Sequence, residues 1–323
     1  MFTFFYCFDK NYNVQAAVSI LSLLDKVSEK INICIIHKDK DTFSQYEEKI
    51  IKHENIENLS LNSLDTKGLE FPNVLNKHIS EATYYRMYLD QINFNFEITK
   101  SVYLDSDIIC INNPITYFEN IYSKLKKNKK PLAARTERVK HGLEQEDDNV
   151  FKRNNLSSIN YFNAGVLLFD YEDWLKEDYF QNLREIQKNY AGTLEYWDQD
   201  LLNILVNGNY IEMNNFSNYH IAADWNHPAH ITEAIALFIH FQGKPKPWEI
   251  SYLHDSSSKF FQDNYKKIFG RKVYISKSNF SRDLKGLTKM IFKLNILKTP
   301  FPFTTLKEAA KIFISYLKFN PSK

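Results

Sequence analysis

Two carboxylates stand two residues apart at the end of an apolar run, in Val102-Tyr103-Leu104-Asp105-Ser106-Asp107-Ile108-Ile109-Cys110-Ile111. In an extended chain residues i and i+2 face the same side, so Asp105 and Asp107 can converge on one point. Like charges that close raise each other's pKa unless a cation lies between them. Oxygen ligands suit a hard divalent ion such as Mg²⁺ or Mn²⁺, and such ions often hold phosphate oxygens as well. The same spacing also fits a strand-end turn with two solvated acids, and the pair by itself does not choose.

Placing such a pair requires a strand behind it and further elements beside it. Phe2 to Phe8 is an aromatic-rich run that predicts a first strand, ending at the turn Asp9-Lys10-Asn11-Tyr12. Asn13 then reads as an N-cap for a helix in which Val14, Ala17, Val18, Leu21 and Leu24 recur at helical spacing. Ile31 to Ile36 predicts a second strand and Phe43 to His53 a second helix. This alternation predicts an α/β fold with a mostly parallel sheet covered by helices. Ligands of such sheets bind outside the carboxyl ends of the strands, where Asp9 and Asp105 both fall.

Further along, Glu81 to Leu89 reads as a helix whose Arg86 is either a surface cation or a partner for a carboxylate or phosphate. Residues 136–158 are polar with little periodicity, which fits a lid, an acceptor loop or a plain surface insertion. Val166 to Phe169 reads as a strand entered through Asn163-Ala164-Gly165. Small residues there let a ligand approach the backbone, and the Asn amide can read hydroxyls. Tyr196 to Asn203 opens a helix with Asp198 placed as N-cap, although Asp198-Gln199-Asp200 would also suit sugar hydroxyls. His240 follows the apolar run Ile235 to Ile239, where a histidine is usually structural. The adjoining Gly243-Lys244-Pro245-Lys246-Pro247 is basic, stiff and fit for phosphate.

The 323 residues suffice for one large domain with a tail. Net charge is +2, but residues 271–323 hold 12 Lys/Arg against 2 Asp/Glu, a net of +10 that leaves −8 on residues 1–270. That asymmetry divides the chain into a body, 1–270, and a basic helical tail, 271–323. No stretch approaches the roughly 18–20 apolar residues of a membrane span, and Met1 to Phe8 lacks the basic start and cleavage site of a signal peptide. Cys7, Cys34 and Cys110 sit in apolar runs, as reduced core residues of a cytoplasmic protein would. In the tail, Leu284, Leu287, Ile291 and Leu294 share one helical face and Lys285, Lys289 and Lys293 the other. After Pro300-Phe301-Pro302, Thr305 and Glu308 form a capping-box pattern, with Leu306, Ala310, Phe313 and Leu317 in one stripe and Lys307, Lys311 and Lys318 in another. Two readings fit: peripheral contact with an anionic inner membrane through 280–323, or a helical pair packed on the body with a solvated basic face. With Arg scarce in the tail and no recognition motif, nucleic acid is not an expected partner. On the membrane reading, deleting 280–323 lowers vesicle binding and spares donor hydrolysis.

In order along the chain, Phe8-Asp9-Lys10-Asn11-Tyr12, Asp105-Ser106-Asp107, Asn163-Ala164-Gly165 with Asp198-Gln199-Asp200, and His240-Phe241-Gln242-Gly243-Lys244-Pro245-Lys246-Pro247-Trp248 together resemble glycosyltransferase family 8 over about residues 1–255. The resemblance implies a GT-A, Rossmann-like fold and a retaining transfer of galactose or glucose from a UDP-sugar to a glycan acceptor, lipopolysaccharide or another surface polysaccharide. It implies Mn²⁺, with Mg²⁺ as a substitute, held by Asp105, Asp107 and His240, the imidazole favouring Mn²⁺. Asp9 and Asn11 match positions that contact uracil and ribose. Arg86, Asn163, Asp198 and Gln199 match positions around the donor sugar, with Ser106 and Ala164 counted among the donor contacts. Gly243 and Lys246 match the loop that closes over the diphosphate. Asp107, Asp198 and Gln199 are the expected catalytic residues. Cys7 stands where the family often has Ala, and Lys10 where a second Asp is frequent. The tail resembles the basic, membrane-associating end of the family's lipooligosaccharide galactosyltransferases in character only.

Two other functions fit parts of the pattern. A metal-dependent nucleotidyltransferase would want a Gly-rich phosphate loop after the first strand, which Asp9-Lys10-Asn11-Tyr12 is not. A degenerate scaffold or binding subunit would be marked by loss of a metal ligand, and all three are present.

Overall fold

The computed structural model describes residues 1–72, 80–139, 150–221, 229–299 and 301–318. Residues 140–149, the centre of the expected lid or acceptor loop, lie outside these. The chain divides into two compact units: Met1–Ile108 with Asn112–Asn218, and Ile109–Ile111 with Tyr219–Lys323.

The first unit follows the predicted alternation: β1 (Phe2–Phe8), α1 (Asn13–Leu24), β2 (Ile31–His37), α2 (Ser44–Ile51) and β3 (Ile56–Asn62). β4 (Lys100–Leu104) leads through the two aspartates to the short β5 (Ile108–Cys110). Then come α3 (Ile115–Asn128), β6 (Leu132–Val139), α4 (Val150–Arg153), β7 (Asn160–Asp170), α5 (Tyr171–Lys176), α6 (Tyr179–Asn189), α7 (Trp197–Val206) and β8 (Ile211–Met213). The seven-stranded sheet has the order β3-β2-β1-β4-β7-β6-β8. It is parallel from β3 to β4 and between β6 and β8; only β7 runs antiparallel to both neighbours. β1 and β2 are buried along their whole length, as strands covered on both faces must be. The three cysteines are buried and form no disulfide.

The second unit contains β9 (Tyr219–Ile221), α8 (Ala229–Ile235), β10 (Phe238–Phe241), α9 (Ser258–Phe269), α10 (Phe280–Phe292) and α11 (Pro302–Lys318). Its small sheet has the order β5-β10-β9, and Ile111 N–H donates to Leu237 O at 2.8 Å.

Several local expectations are corrected. Asn13 is the first residue of α1 rather than its cap. Its amide instead donates to Thr42 and accepts from His37, whose other ring nitrogen is occupied by Asp39 N–H. Glu81–Gln91 is helical as expected, in the form of a 3₁₀ helix broken at Tyr88. Asp198 lies inside α7, and Asp200 accepts the backbone N–H groups of Glu195 and Tyr196 just ahead of that helix. α11 begins at Pro302, so Thr305 and Glu308 are interior and form no capping box. The tail face also differs. α10 buries Asp283, Gly286 and Met290, while Leu284, Ile291 and Leu294 are exposed. A buried aspartate and glycine hid this face from a reading based on apolar spacing.

Candidate active site

β1 and β4 are adjacent parallel strands, so Asp9 and Asp105 emerge at the same edge of the sheet. A cleft of about 160 Å³ opens there, lined by Cys7, Asp9, Tyr12, Thr83, Asp105, Ser106 and Asp107. Asp9 is fixed by capping: its carboxylate accepts from Asn11 N–H at 2.8 Å and from the Asn11 amide at 3.3 Å. The two aspartates do not meet in an extended strand, as the i, i+2 argument expects. Ile108 N–H donates to Asp105 O at 3.3 Å, which closes a turn over Ser106 and Asp107. Both side chains still reach the cleft.

Arg86 is buried, not a surface cation, and makes one tight set of contacts. Its guanidinium donates to Asp105 at 2.9 Å and to Ala164 O at 2.6 Å, pairs with Asp198 at 2.8 Å, and lies 3.6 Å over the Tyr103 ring. A planar fork of five donors can serve these acceptors in fixed directions while its face lies on the Tyr103 ring, where a lysine offers three donors on a compact point charge that does not stack. Burial works against the cation, but Asp198 first, and then Tyr103 and Asp105, hold its pKa above the ordinary arginine value. For Asp198 the balance goes the other way: burial lifts its carboxyl to about 6, with Arg86 and Thr83 pulling it down. Thr83 donates to Asp198 at 2.6 Å. In a 3₁₀ helix residues i and i+3 eclipse, which is why Thr83 and Arg86 reach the same carboxylate.

Ala164 links this set to Gln199. The register of β6 on β7 jumps from Ala134↔Leu167 to Arg135↔Asn163. That bulge frees residues 164–166 from β6, as bulges beside functional sites commonly do. Ala164 O then takes Arg86, Ala164 N–H donates to Gln199 Oε1 at 2.9 Å, and Gly165 O accepts from Asp105 N–H at 2.9 Å. Asn163 Oδ1 accepts from Gly165 N–H and from Asn218, so its amide nitrogen faces Glu137 at 3.3 Å. The Gln199 amide nitrogen faces the same Glu137 oxygen at 3.2 Å and Tyr161 OH at 3.3 Å. Arg86, Asp105, Asn163, Ala164, Asp198 and Gln199 therefore form one connected network.

Thr83, Glu137 and Tyr161 belong to this network and were missed by the sequence reading. Thr83 would have been found by treating 81–91 as 3₁₀. Glu137 sits among Arg135 and Arg138 with no spacing to mark it, and Tyr161 reads as a core aromatic.

Within the second unit, His240 is buried on β10 and pairs in register with His220 of β9, their rings perpendicular at 5.3 Å. Gly243 follows with φ +70°, a conformation glycine adopts without strain. Lys246 is 7% exposed and donates to Phe241 O at 2.5 Å. In the first unit Asp105 and Asp107 offer two carboxylates to the cleft, a donor pair that fits a hard divalent cation.

Comparison with known proteins agrees with this architecture. A Haemophilus influenzae protein is 29% identical over 220 residues, 65% of this chain and 61% of that protein, so the chain spans less than two thirds of that relative. A lipopolysaccharide 1,2-glucosyltransferase of Escherichia coli is 26% identical over 276 residues, 80% of this chain and 76% of that protein. The structure of galactosyltransferase LgtC with donor and acceptor sugar analogs superposes with a TM-score of 0.64 at 21% identity, over 83% of this chain and 96% of that one, a likeness of fold. The sequence profile of glycosyl transferase family 8 matches residues 3–251, and the chain belongs to that family.

Proposed function

We propose that the protein is a retaining glycosyltransferase that moves galactose or glucose from a UDP-sugar, with Mn²⁺, to a glycan acceptor of the lipopolysaccharide or surface-polysaccharide class. The observation that carries this reading is the cleft at the carboxyl ends of β1 and β4, where Asp9, Asp105, Ser106 and Asp107 meet Thr83 of the Arg86 helix. Ligands of parallel sheets bind at that edge. The relatives named as glucosyl- and galactosyltransferases support a hexose.

On this reading Asp9 and Asn11 receive the uridine, and Asp105, Asp107 and His240 hold the cation. Bound there, the cation supplies Lewis-acid neutralisation of the diphosphate. Lys246, on the loop after Gly243, adds positive charge for the departing UDP. Arg86, Asn163, Ala164, Asp198 and Gln199 surround the donor sugar. The Arg86 ion pairs fix the carboxylates of Asp105 and Asp198 before substrate arrives, so little reorganisation remains for the reaction. Polar oxygens around the sugar answer the developing oxocarbenium charge. Gln199 is a poor nucleophile, its oxygen already accepting from Ala164 N–H, and Asp198 is paired with Arg86. Both facts favour attack by the acceptor on the leaving-group face, with the departing phosphate taking the acceptor proton. A glycosyl adduct trapped on Gln199 or Asp198 would overturn that route.

The acceptor reading rests on the tail. Leu294, Leu297 and Phe303 are exposed beside Lys293 and Lys298, a combination that suits an anionic lipid surface. No helix among the described residues is long and apolar enough to cross a membrane. The test of the donor site is calorimetric titration of the parent with UDP, GDP and CDP, each with and without Mn²⁺. UDP should bind best and only with the metal. Equal binding of the three nucleotides, or none, contradicts the reading.

A further inference from the structure

The loop that carries Lys246 has little regular structure of its own, and its supports come from further along the chain. Pro247 O accepts from the Gln262 amide at 3.0 Å, and Trp248 O accepts from Ser276 N–H at 2.8 Å. The same Gln262 side chain exchanges two hydrogen bonds with the backbone of Tyr274. The Trp248 ring packs on Phe261 at 4.7 Å. Ile250 and Leu253 share one buried cluster with Val273, Ile275, Met290, Ile296 and Ala309. Between them, Ser251 lies against Gly286 of α10 so closely that a Cβ built there would stand 3.1 Å from the Ser251 backbone nitrogen and Cβ. Glycine in a helix interior is destabilising, so its place at this contact points to the closeness of the approach. α10 and α11 are tied together in turn: Asp283, buried, accepts from Ser278 and from Tyr316 OH at 2.6 Å. The family match ends at residue 251, so these supports lie beyond it.

We propose that the C-terminal segment from Gln262 to α11 is the seat of the donor-phosphate loop, and that Ser276 and Gly286 are positioning residues for Lys246. This inference rests on the donor reading of that loop. The tail then has two faces. The inner one sets how well the loop receives a diphosphate, and the outer one is free for a surface. On this inference deleting 280–323 also weakens donor hydrolysis, because that deletion removes Met290, Ile296 and Ala309 from the cluster under Ile250.

The test compares UDP affinity and steady-state kinetics in the full chain. Gly286→Leu, which cannot fit against Ser251, and Ser276→Pro, which removes the N–H that holds Trp248 O, should each weaken UDP binding about tenfold. Each should also lower kcat, because a displaced Lys246 no longer meets the charge that builds as UDP departs, so kcat/KM falls by more than the UDP affinity does. Phe292→Ser, on the exposed outer face, should match the parent. Circular dichroism and a cooperative melt establish that each variant is folded. Parent-like UDP affinity in folded Gly286→Leu and Ser276→Pro would overturn the seat while leaving the donor reading intact. Failure of the parent itself to bind UDP would overturn the donor reading, and the seat with it.

Discussion

The network around Arg86 and the helices of the tail solve opposite problems. In the first unit a buried cation is matched to Asp105, Asp198, Ala164 O and the Tyr103 ring, and Thr83 holds Asp198 and Gln199 holds the Ala164 N–H in turn. In the second, α10 and α11 bury Asp283, Gly286, Met290 and Ala309 and leave Phe292 at 84% and Phe303 at 89% exposure. The first arrangement spends desolvation free energy on fixed geometry, since charges taken out of water are costly even when paired. The second leaves apolar area in water, which a monomer gains nothing by doing. The difference teaches that the two regions are built to different ends: the Arg86 network fixes polar groups in one geometry, and the outer face of the tail keeps apolar side chains exposed, as the proposed contact with an anionic surface requires.

The comparison breaks most readily at Arg86. Arg86→Met leaves the buried Asp198 and the partly exposed Asp105 without their cation and should cost about 3–5 kcal/mol of stability, chiefly through Asp198, read as a lower urea midpoint. A loss under about 1 kcal/mol would mean that the network is relaxed by water or protonation. Next comes Asp107→Ala, which should reduce hexose transfer about 10²–10³-fold while leaving the melting temperature near the parent's. Unfolding of this variant would move Asp107 from chemistry to structure.

Asp198 supplies the pH test. Burial holds its carboxyl at about 6, above the ordinary 3.8. The folded chain therefore keeps this proton where the unfolded chain has lost it, so the group's contribution to stability falls as pH rises from about 4 to about 6. Asp198→Asn has no such titration. Urea titrations at about pH 4.5 and about pH 7 should show the parent losing about 1–3 kcal/mol relative to the variant as pH rises. No change, or the opposite sign, would mean that Arg86 outweighs burial. The smallest expected stability effect belongs to the tail. Phe292→Ser combined with Leu297→Ser should change stability by no more than about 0.5 kcal/mol, yet lower sedimentation with anionic vesicles several-fold. Unchanged sedimentation would remove the surface from the comparison.

Much of this was legible in the residues. Runs such as Phe2–Phe8 and Ile31–His37 are strands because they are apolar throughout, and parallel because helices alternate with them. Asp105, Asp107 and His240 were visible because few residue types ligate metals. The turn that joins the two aspartates was not, since a turn and a strand end share the same letters. The link from Arg86 through Ala164 to Gln199 depends on a register jump in β7, which apolar spacing does not encode. The buried face of α10 was hidden because close approach required Gly286 and a hydrogen-bonded Asp283 where a pattern search looks for leucine.

The central claim is that the cleft of the first unit works on a UDP-hexose. Its most direct test is release of UDP from UDP-galactose and UDP-glucose, with and without Mn²⁺, by the parent and by Asp107→Ala. The account predicts turnover of at least one donor by the parent only, and only with the metal. Equal release by parent and variant, or no release of UDP from either sugar, would contradict it.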